Sequence, residues 1–325
     1  MLHTDQPPGF ADILAAADRL RDIAVRTPLL EFPALNARVG GRVLVKAETL
    51  QRTGSFKLRG AFNAIAQAGG RPVVAYSSGN HAQGVAAAAG LLGVKATIVM
   101  PADAPQLKLD NTRALGAEVV AYDRYRESRE EIAAHIAAER GAVLIRPYDA
   151  RATIAGQGTC GLEIAEQARA RHLRLDAALV CCSGGGLTAG CALALCHLVP
   201  GIEMWSVEPE ACDDTLRSLT AGERLANPPD VRTICDALMT QIPGELTFAV
   251  NRRLLAGGLA VSDDEVKDAM RWAFRVLKLV VEPGGAVALA AVLTGRYDAR
   301  GKTVAVVLSG GNVDPGLFAE IVAAA

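Results

Sequence analysis

The stretch Ala177–Ile202, AALVCCSGGGLTAGCALALCHLVPGI, decides the architecture. It contains no Asp, Glu, Lys or Arg, and by hydropathy alone it is long enough to span a bilayer. Three consecutive glycines, Gly184 to Gly186, interrupt it. They divide it into a buried strand over Ala178 to Cys182, a turn at Ser183 to Leu187 and a buried helix. A strand that passes through a glycine turn straight into a helix is one arm of a βαβ unit, so the chain reads as α/β and not as a membrane protein.

The same alternation extends to both sides. Phe10 to Arg21 has helical spacing, and Thr27-Pro28-Leu29-Leu30 turns the chain toward a first short strand at Val43 to Lys46. Leu58 to Gln67 reads as a helix, Pro72 to Tyr76 as a buried strand, Ala82 to Leu92 as a helix and Ala96 to Met100 as a strand. Ala104 to Leu115 and Val119 to Tyr122 repeat the unit. Ser128 with Glu131 opens a further helix as in a capping box, and Val143 to Ile145 is the next strand. The glycines at 156, 158 and 161 precede a helix read over Leu162 to Ala170, and Met204 to Val207 and Thr303 to Leu308 are further strands. Strands alternating with helices of this length imply parallel sheets, and polar or glycine-rich turns recur at their carboxyl ends, the edge where ligands bind in open α/β sheets.

At 325 residues the chain exceeds the size at which one core keeps growing, so two lobes are expected. The larger is read from residues 1–71 and 149–325, the smaller from 72–148, with a small-molecule site between them. The balance of 34 basic and 35 acidic residues gives a net charge of −1 and no field that would draw nucleic acid or an anionic membrane. Seven cysteines, an odd number without a C-x-x-C pair, argue against a disulfide framework or a structural zinc site. Met1 to Pro8 has no basic region followed by an apolar core, which reads as a cytoplasmic protein.

Four turns carry candidate chemistry. Lys57, between the Gly54-Ser55 turn and a helix and flanked by Phe56 and Leu58, is placed for desolvation of a nucleophilic amine, although such strings also simply start helices. The run Gly184–Gly186 at a strand-to-helix junction suits a phosphate on its backbone N–H groups or serves tight packing. It does not follow G-x-G-x-x-G, and no G-x-x-x-x-G-K-[ST] occurs, which disfavours a nucleotide-dependent oxidoreductase. Ser78-Gly79-Asn80-His81 opens a helix and suits a carboxylate or a plain capping role. Glu208 with Asp213 and Asp214 can gather a hard cation or pair with a helix dipole, and Ser309 offers a neutral hydroxyl at a strand end.

Together these segments resemble the pyridoxal-phosphate enzymes of the tryptophan-synthase-β type, fold type II, and within them the serine/threonine dehydratase and serine racemase branch. The resemblance is carried by Ser55-Phe56-Lys57-Leu58-Arg59-Gly60-Ala61, Ser77-Ser78-Gly79-Asn80-His81-Ala82-Gln83-Gly84, Ile154-Ala155-Gly156-Gln157-Gly158-Thr159, Ser183-Gly184-Gly185-Gly186-Leu187, Glu282-Pro283-Gly284-Gly285-Ala286 and Ser309-Gly310-Gly311-Asn312. These six motifs span nearly the whole chain in the family order.

The resemblance implies two open, twisted, mostly parallel sheets flanked by helices. It also implies that Lys57 forms the Schiff base with pyridoxal 5'-phosphate, beside Phe56 and Glu282. Asn80 would bond the ring hydroxyl, Ser183, Gly184, Gly185, Gly186 and Leu187 would hold the phosphate, and Ser309 would meet the pyridine nitrogen. Ser77, Ser78, Asn80 and His81 would bind the substrate carboxylate, and Ser78 would serve as a second proton carrier. The branch further implies a homodimer and a divalent cation such as Mg2+ on Glu208, Asp214 and the main-chain carbonyl of Cys212. The reaction implied is dehydration and deamination of a β-hydroxy amino acid, L-threonine or L-serine first, with serine racemisation, 3-hydroxyaspartate or phenylserine as alternatives. Two departures stand out. Asp236-Ala237-Leu238 has alanine where relatives often carry glycine, and Gly284 stands where many carry serine.

Overall fold

The structure, a computed structural model, describes residues 6–104 and 106–324. The Met1 to Pro8 reading therefore falls largely outside the described residues. Among these residues ten strands, β1 (Leu29–Glu31), β2 (Arg42–Ala47), β3 (Val73–Tyr76), β4 (Ala96–Pro101), β5 (Glu118–Tyr122), β6 (Val143–Leu144), β7 (Ala177–Cys181), β8 (Glu203–Pro209), β9 (Gly257–Val261) and β10 (Thr303–Leu308), form two sheets. The larger has the order β1-β2-β10-β7-β8-β9, and the smaller β5-β4-β3-β6. All pairings are parallel except β1 with β2. Both sheets are flanked by helices, as expected for α/β units with buried parallel strands.

β7 is buried along its whole length, and the following helix, Gly186–Leu198, is buried from Gly186 through Leu195. The apolar stretch is therefore a strand and helix at the centre of the larger core. Among the described residues no helix is long and apolar enough to cross a membrane. The helix Lys57–Ala66 packs its apolar residues into the core of the smaller sheet, with Leu58, Phe62 and Ile65 among Val73, Ala75 and Ile98.

Two sequence expectations are corrected, and one strand, β9, has no counterpart in the sequence reading. The segment read as a turn before the first strand contains the short antiparallel strand β1, and the helix Pro33–Val39 follows it before β2. β9 carries no alternating pattern, because its Gly257 and Gly258 leave room for the Trp205 ring and Leu216. Gly156, Gly158 and Gly161 do not precede a helix; they lie inside one, Arg151–Ala170. A Cβ at Gly156 would stand 2.4 Å from the Arg59 carbonyl oxygen, at Gly158 2.8 Å from Ile13 Cδ1, and at Gly161 2.7 Å from Cys191 Cα. Close approach of three helices thus outweighs the intrinsic cost of glycine in a helix, about 1 kcal/mol each.

A buried charge network fixes the start of the Lys57 helix. Arg59 is fully buried and donates to both oxygens of Glu48 at 2.8 Å and to those of Glu163 at 2.7 and 2.9 Å. Buried Lys46 pairs with Glu163 at 2.5 Å and donates to the Thr27 carbonyl at 2.7 Å. These carboxylates hold the Arg59 guanidinium well above its ordinary range despite burial. Two turns from the edge of the larger sheet and one long helix are thereby locked to the residue next but one to Lys57.

Candidate active site

A cleft of about 580 Å3 is lined by residues from both sheets, including Lys57, Ser78, Asn80, His81, Gly184–Gly186, Glu282 and Ser309. The Lys57 amine is held by the chain that precedes it. Phe56 N–H donates to the Ser309 carbonyl at 3.1 Å, Gly311 N–H to the Gly54 carbonyl at 2.8 Å, and Ser55 bridges to Gly310. This lacing fixes Lys57 relative to Ser309. Lys57 Nζ donates to the Pro147 carbonyl at 3.0 Å and lies 5.1 Å from the centre of the Phe56 ring. The stem is partly open to the cleft, but the amine is surrounded by protein, and burial pushes its pKa down to about 8 against the opposing pull of nearby Cys181 and Glu282.

The glycine turn after β7 forms a cup of main-chain N–H groups. Gly185 has φ of +88°, and Gly186 begins a helix of 13 residues. A Cβ on Gly184 would stand 2.4 Å from the Tyr148 ring, and one on Gly186 2.3 Å from Gln157 Oε1. No side chain caps this helix start. Its free N–H groups and dipole suit a phosphate, and the buried Gln157 Oε1 and Ser55 Oγ have no hydrogen-bond partner of their own. The Ser183 hydroxyl is turned aside, donating to Thr240 Oγ1 at 2.6 Å, so Ser183 offers its backbone. Leu187 is buried and lines the same cup. By shape and donor set these residues fit a phosphorylated ring such as pyridoxal phosphate.

Asn80 starts the helix Asn80–Leu91. Its Nδ2 donates to Glu282 Oε1 at 2.6 Å and its Oδ1 accepts from Asn312 Nδ2 at 2.7 Å, and Asn312 Nδ2 also donates to the Thr53 carbonyl at 2.7 Å. This chain joins the first helix turn after β3 to the larger sheet. Burial raises the Glu282 carboxyl to about 7, partly countered by the Asn80 amide. Gly310 is needed beside it, since a Cβ there would lie 2.1 Å from Glu282 Oε1. Ser309 is buried next to Cys181, whose thiol burial holds up at about 11, so the wall behind Ser309 is uncharged at neutral pH.

Ser77 Oγ accepts from Gly79 N–H at 3.2 Å, and Ser78 lines the cleft without a side-chain hydrogen bond of its own. The His81 ring is 3% exposed, and its Nε2 is 2.9 Å from the Ile145 carbonyl. Burial and the nearby Lys57 charge lower its pKa to about 3, so the ring is neutral and held by the protein, leaving the backbone of this turn to face an anion.

Glu208 and Asp214 lie together away from the cleft lining. Both Glu208 oxygens accept main-chain N–H groups, from Thr215 at 3.1 Å and Leu216 at 2.8 Å. Burial and then the Asp214 charge push its carboxyl well up, and burial raises Asp214 to about 6. Asp214 Oδ1 accepts from Asn227 at 2.7 Å, while its buried Oδ2 has no partner. Cys212 is buried at the preceding turn. Among the described residues no cluster of three or more His, Cys, Asp or Glu side chains is arranged to hold a metal.

Sequence reasoning did not single out Tyr148, Thr240, Cys181, Lys108 or Arg129, all of which line the cleft. Tyr148, Thr240, Lys108 and Arg129 come from segments without motif character, and Cys181 from the strand just before the glycine turn, where it was read only as core. Asn312 and Gln157 were visible as the last and central residues of two motifs, but without a role.

Known proteins resemble this chain over nearly its whole length. Residues 20–310 match the family described as pyridoxal-phosphate dependent enzyme. The L-threo-3-hydroxyaspartate ammonia-lyase of Saccharomyces cerevisiae is 42% identical, over 97% of this chain and 96% of that protein. The serine racemase of Schizosaccharomyces pombe is 38% identical, over 94% of this chain and 95% of the relative. Among solved structures, maize serine racemase superposes with a TM-score of 0.90 at 37% identity, covering 96% of this chain and 96% of that one.

Proposed function

Because this chain belongs to the pyridoxal-phosphate dependent enzyme family, we propose that it eliminates water from a β-hydroxy amino acid, after which the resulting enamine takes up water again and releases ammonia to leave a 2-keto acid. The observation that carries this is the convergence on one cleft of the Lys57 amine, the glycine cup, Ser309 and the turn Ser78–His81. Pyridoxal phosphate, when bound, supplies the electron sink for a carbanion at the substrate α-carbon.

The remaining work falls to the chain's own groups. Lys57, with its pKa lowered to about 8, anchors the cofactor and takes the α-proton as a neutral amine. The cup at Ser183 to Leu187 would hold the phosphate, and Asn80, fixed by Asn312 and Glu282, would bond the ring hydroxyl. With the cofactor in place, Ser309 would offer the ring nitrogen a neutral hydroxyl and not a carboxylate, a donor that would favour β-elimination over transamination. Ser77, Ser78 and the backbone of Asn80 and His81 hold the substrate carboxylate at a helix start. Ser78 returns a proton from the opposite face in a racemase side reaction.

From its sequence motifs the first substrate is L-threonine or L-serine. A second reading, 3-hydroxyaspartate, is supported by the named yeast relative; the cleft cations Lys108 and Arg129 lie 3.4 Å from Asp236 and 2.8 Å from Glu130, so either would exchange its carboxylate partner for the substrate's. On the same reading residues 72–148 act as a small lobe that closes on substrate, and the protein works as a cytoplasmic homodimer. A divalent cation such as Mg2+ would use the unpartnered Asp214 oxygen, Glu208 and the Cys212 carbonyl.

One assay tests these points together: a panel of L- and D-β-hydroxy amino acids scored for keto acid, ammonia and racemised product, with and without magnesium. Elimination from at least one L-β-hydroxy amino acid is expected. Product from none of them would refute the assignment.

A further inference from the structure

Three consecutive residues, Pro147, Tyr148 and Asp149, each touch a different part of the candidate site. The Pro147 carbonyl accepts from Lys57 Nζ at 3.0 Å and from the amide of buried Gln157 at 3.1 Å. The Tyr148 ring lies against Gly184, so close that a Cβ there would stand 2.4 Å from three of the ring carbons. The Asp149 carboxylate reaches the start of the helix Glu245–Leu254, far along the chain. Its Oδ2 accepts from Glu245 N–H at 3.0 Å, and its Oδ1 from Leu246 and Thr247 N–H at 2.8 and 3.2 Å. The helix's own cap residue, Gly244, has no side chain to offer, and a Cβ there would stand 2.5 Å from Asp149 Oδ1. An anionic acceptor on three free N–H groups is a stabilising arrangement at a helix start.

The capped helix in turn backs the glycine cup. Thr247 Oγ1, in its first turn, donates to the Gly184 carbonyl at 2.6 Å. Asn251 Nδ2, one turn on, lies 2.9 Å from where a Cβ on Gly185 would be. Both side chains are buried. A strap of three residues therefore runs from the amine, across the face of the cup, to the helix behind it. We propose that Asp149 is a positioning residue for the cofactor: by capping a distant helix it holds the Pro147 carbonyl, and with it Lys57, in a fixed relation to the glycine cup. Asp149 is not among the residues that line the cleft, so it acts through its neighbours. The inference rests on the cofactor site read above and deepens it, because one molecule bound at both its aldehyde and its phosphate tolerates little change in the spacing of amine and cup.

The test uses the full-length protein stripped of cofactor, with pyridoxal 5'-phosphate and phosphate-free pyridoxal as separate probes. Asp149→Ala is expected to raise the dissociation constant for pyridoxal 5'-phosphate by about tenfold, the scale of a lost helix cap. It is also expected to slow the condensation of Lys57 with pyridoxal, which carries the aldehyde alone, by about threefold or more. Asp149→Asn keeps an acceptor oxygen and is expected to stay within roughly threefold of the parent in both readings. Ser262→Ala is the control, since it uncaps the helix Asp263–Trp272, none of whose residues lines the cleft. It is expected to lower the melting temperature and leave both readings unchanged. If Asp149→Ala does not fold, Gly244→Ala carries the same test, because its Cβ would displace the Asp149 carboxylate. Parental affinity in Asp149→Ala, a parental pyridoxal rate beside weakened affinity, or an equal loss in Ser262→Ala overturns the proposal. A parent that binds the cofactor but eliminates water from no hydroxy amino acid would refute the function proposed above and leave this positioning role standing.

Discussion

Gly185→Ala isolates the phosphate cup. At this position the backbone has φ of +88°, and a methyl group would meet Asn251 Nδ2 at 2.9 Å and Thr247 Oγ1 at 3.0 Å. The left-handed conformation costs an L-residue roughly 1–2 kcal/mol. Crowding adds about 1 kcal/mol or more, because Thr247 is buried and its hydroxyl is already committed to the Gly184 carbonyl at 2.6 Å. The total of about 2–3 kcal/mol is divided between folding and cofactor affinity. If it falls wholly on binding, the dissociation constant for pyridoxal phosphate rises by roughly 30- to 150-fold, at 1.4 kcal/mol per factor of ten. Gly295→Ala is the control, since Gly295 also has positive φ, +77°, but open space around it. It should lower the melting temperature of the cofactor-free protein while leaving cofactor affinity unchanged. Titration of both stripped proteins with pyridoxal phosphate, followed by visible absorbance and by thermal melting, separates the two costs. Parental affinity in Gly185→Ala without a matching fall in melting temperature, or an equal loss of affinity in Gly295→Ala, would contradict the role given to this glycine turn.

Other expectations concern the supports of Lys57 and the proton carriers. Arg59→Met leaves the fully buried Glu48 without its cation, while part-exposed Glu163 keeps Lys46, and a loss of about 3 kcal/mol is expected in denaturant unfolding; a change within 1 kcal/mol would remove the network from the account. The rate at which stripped protein captures pyridoxal phosphate should rise with pH and level off above about 8, because Lys57 becomes a neutral amine there; a profile still climbing steeply near pH 10 would contradict the lowered pKa. Ser78→Ala should reduce racemisation of serine by tenfold or more while sparing elimination several-fold better, in line with the usual 10²–10⁴ span of general acid–base contributions. Equal loss of both reactions would place Ser78 in carboxylate binding alone.

Much of this was legible because each element of the site is local. Strand, glycine turn and helix at 177–198 form a contiguous signal, and the period of the flanking segments marks buried parallel strands. Lys57, Asn80 and Ser309 each end or begin such an element. Tertiary approach was not legible. The glycines of Arg151–Ala170 look like a helix breaker in isolation, and only the neighbouring Arg59 carbonyl, Ile13 and Cys191 explain why they sit within the helix. β1 is a three-residue edge strand whose pairing with β2 depends on residues more than a dozen positions away. Tyr148, Thr240 and Lys108 enter the cleft through packing between distant segments, for which single-sequence periodicity has no signal.

The central claim is that one amine does the chemistry. Borohydride reduction of the cofactor-loaded protein, followed by peptide mapping, is expected to place the pyridoxyl label on Lys57, and Lys57→Ala is expected to lose both the label and ammonia release from β-hydroxy amino acids. Label on another residue, or a Lys57→Ala protein that releases ammonia at the parental rate, would contradict it.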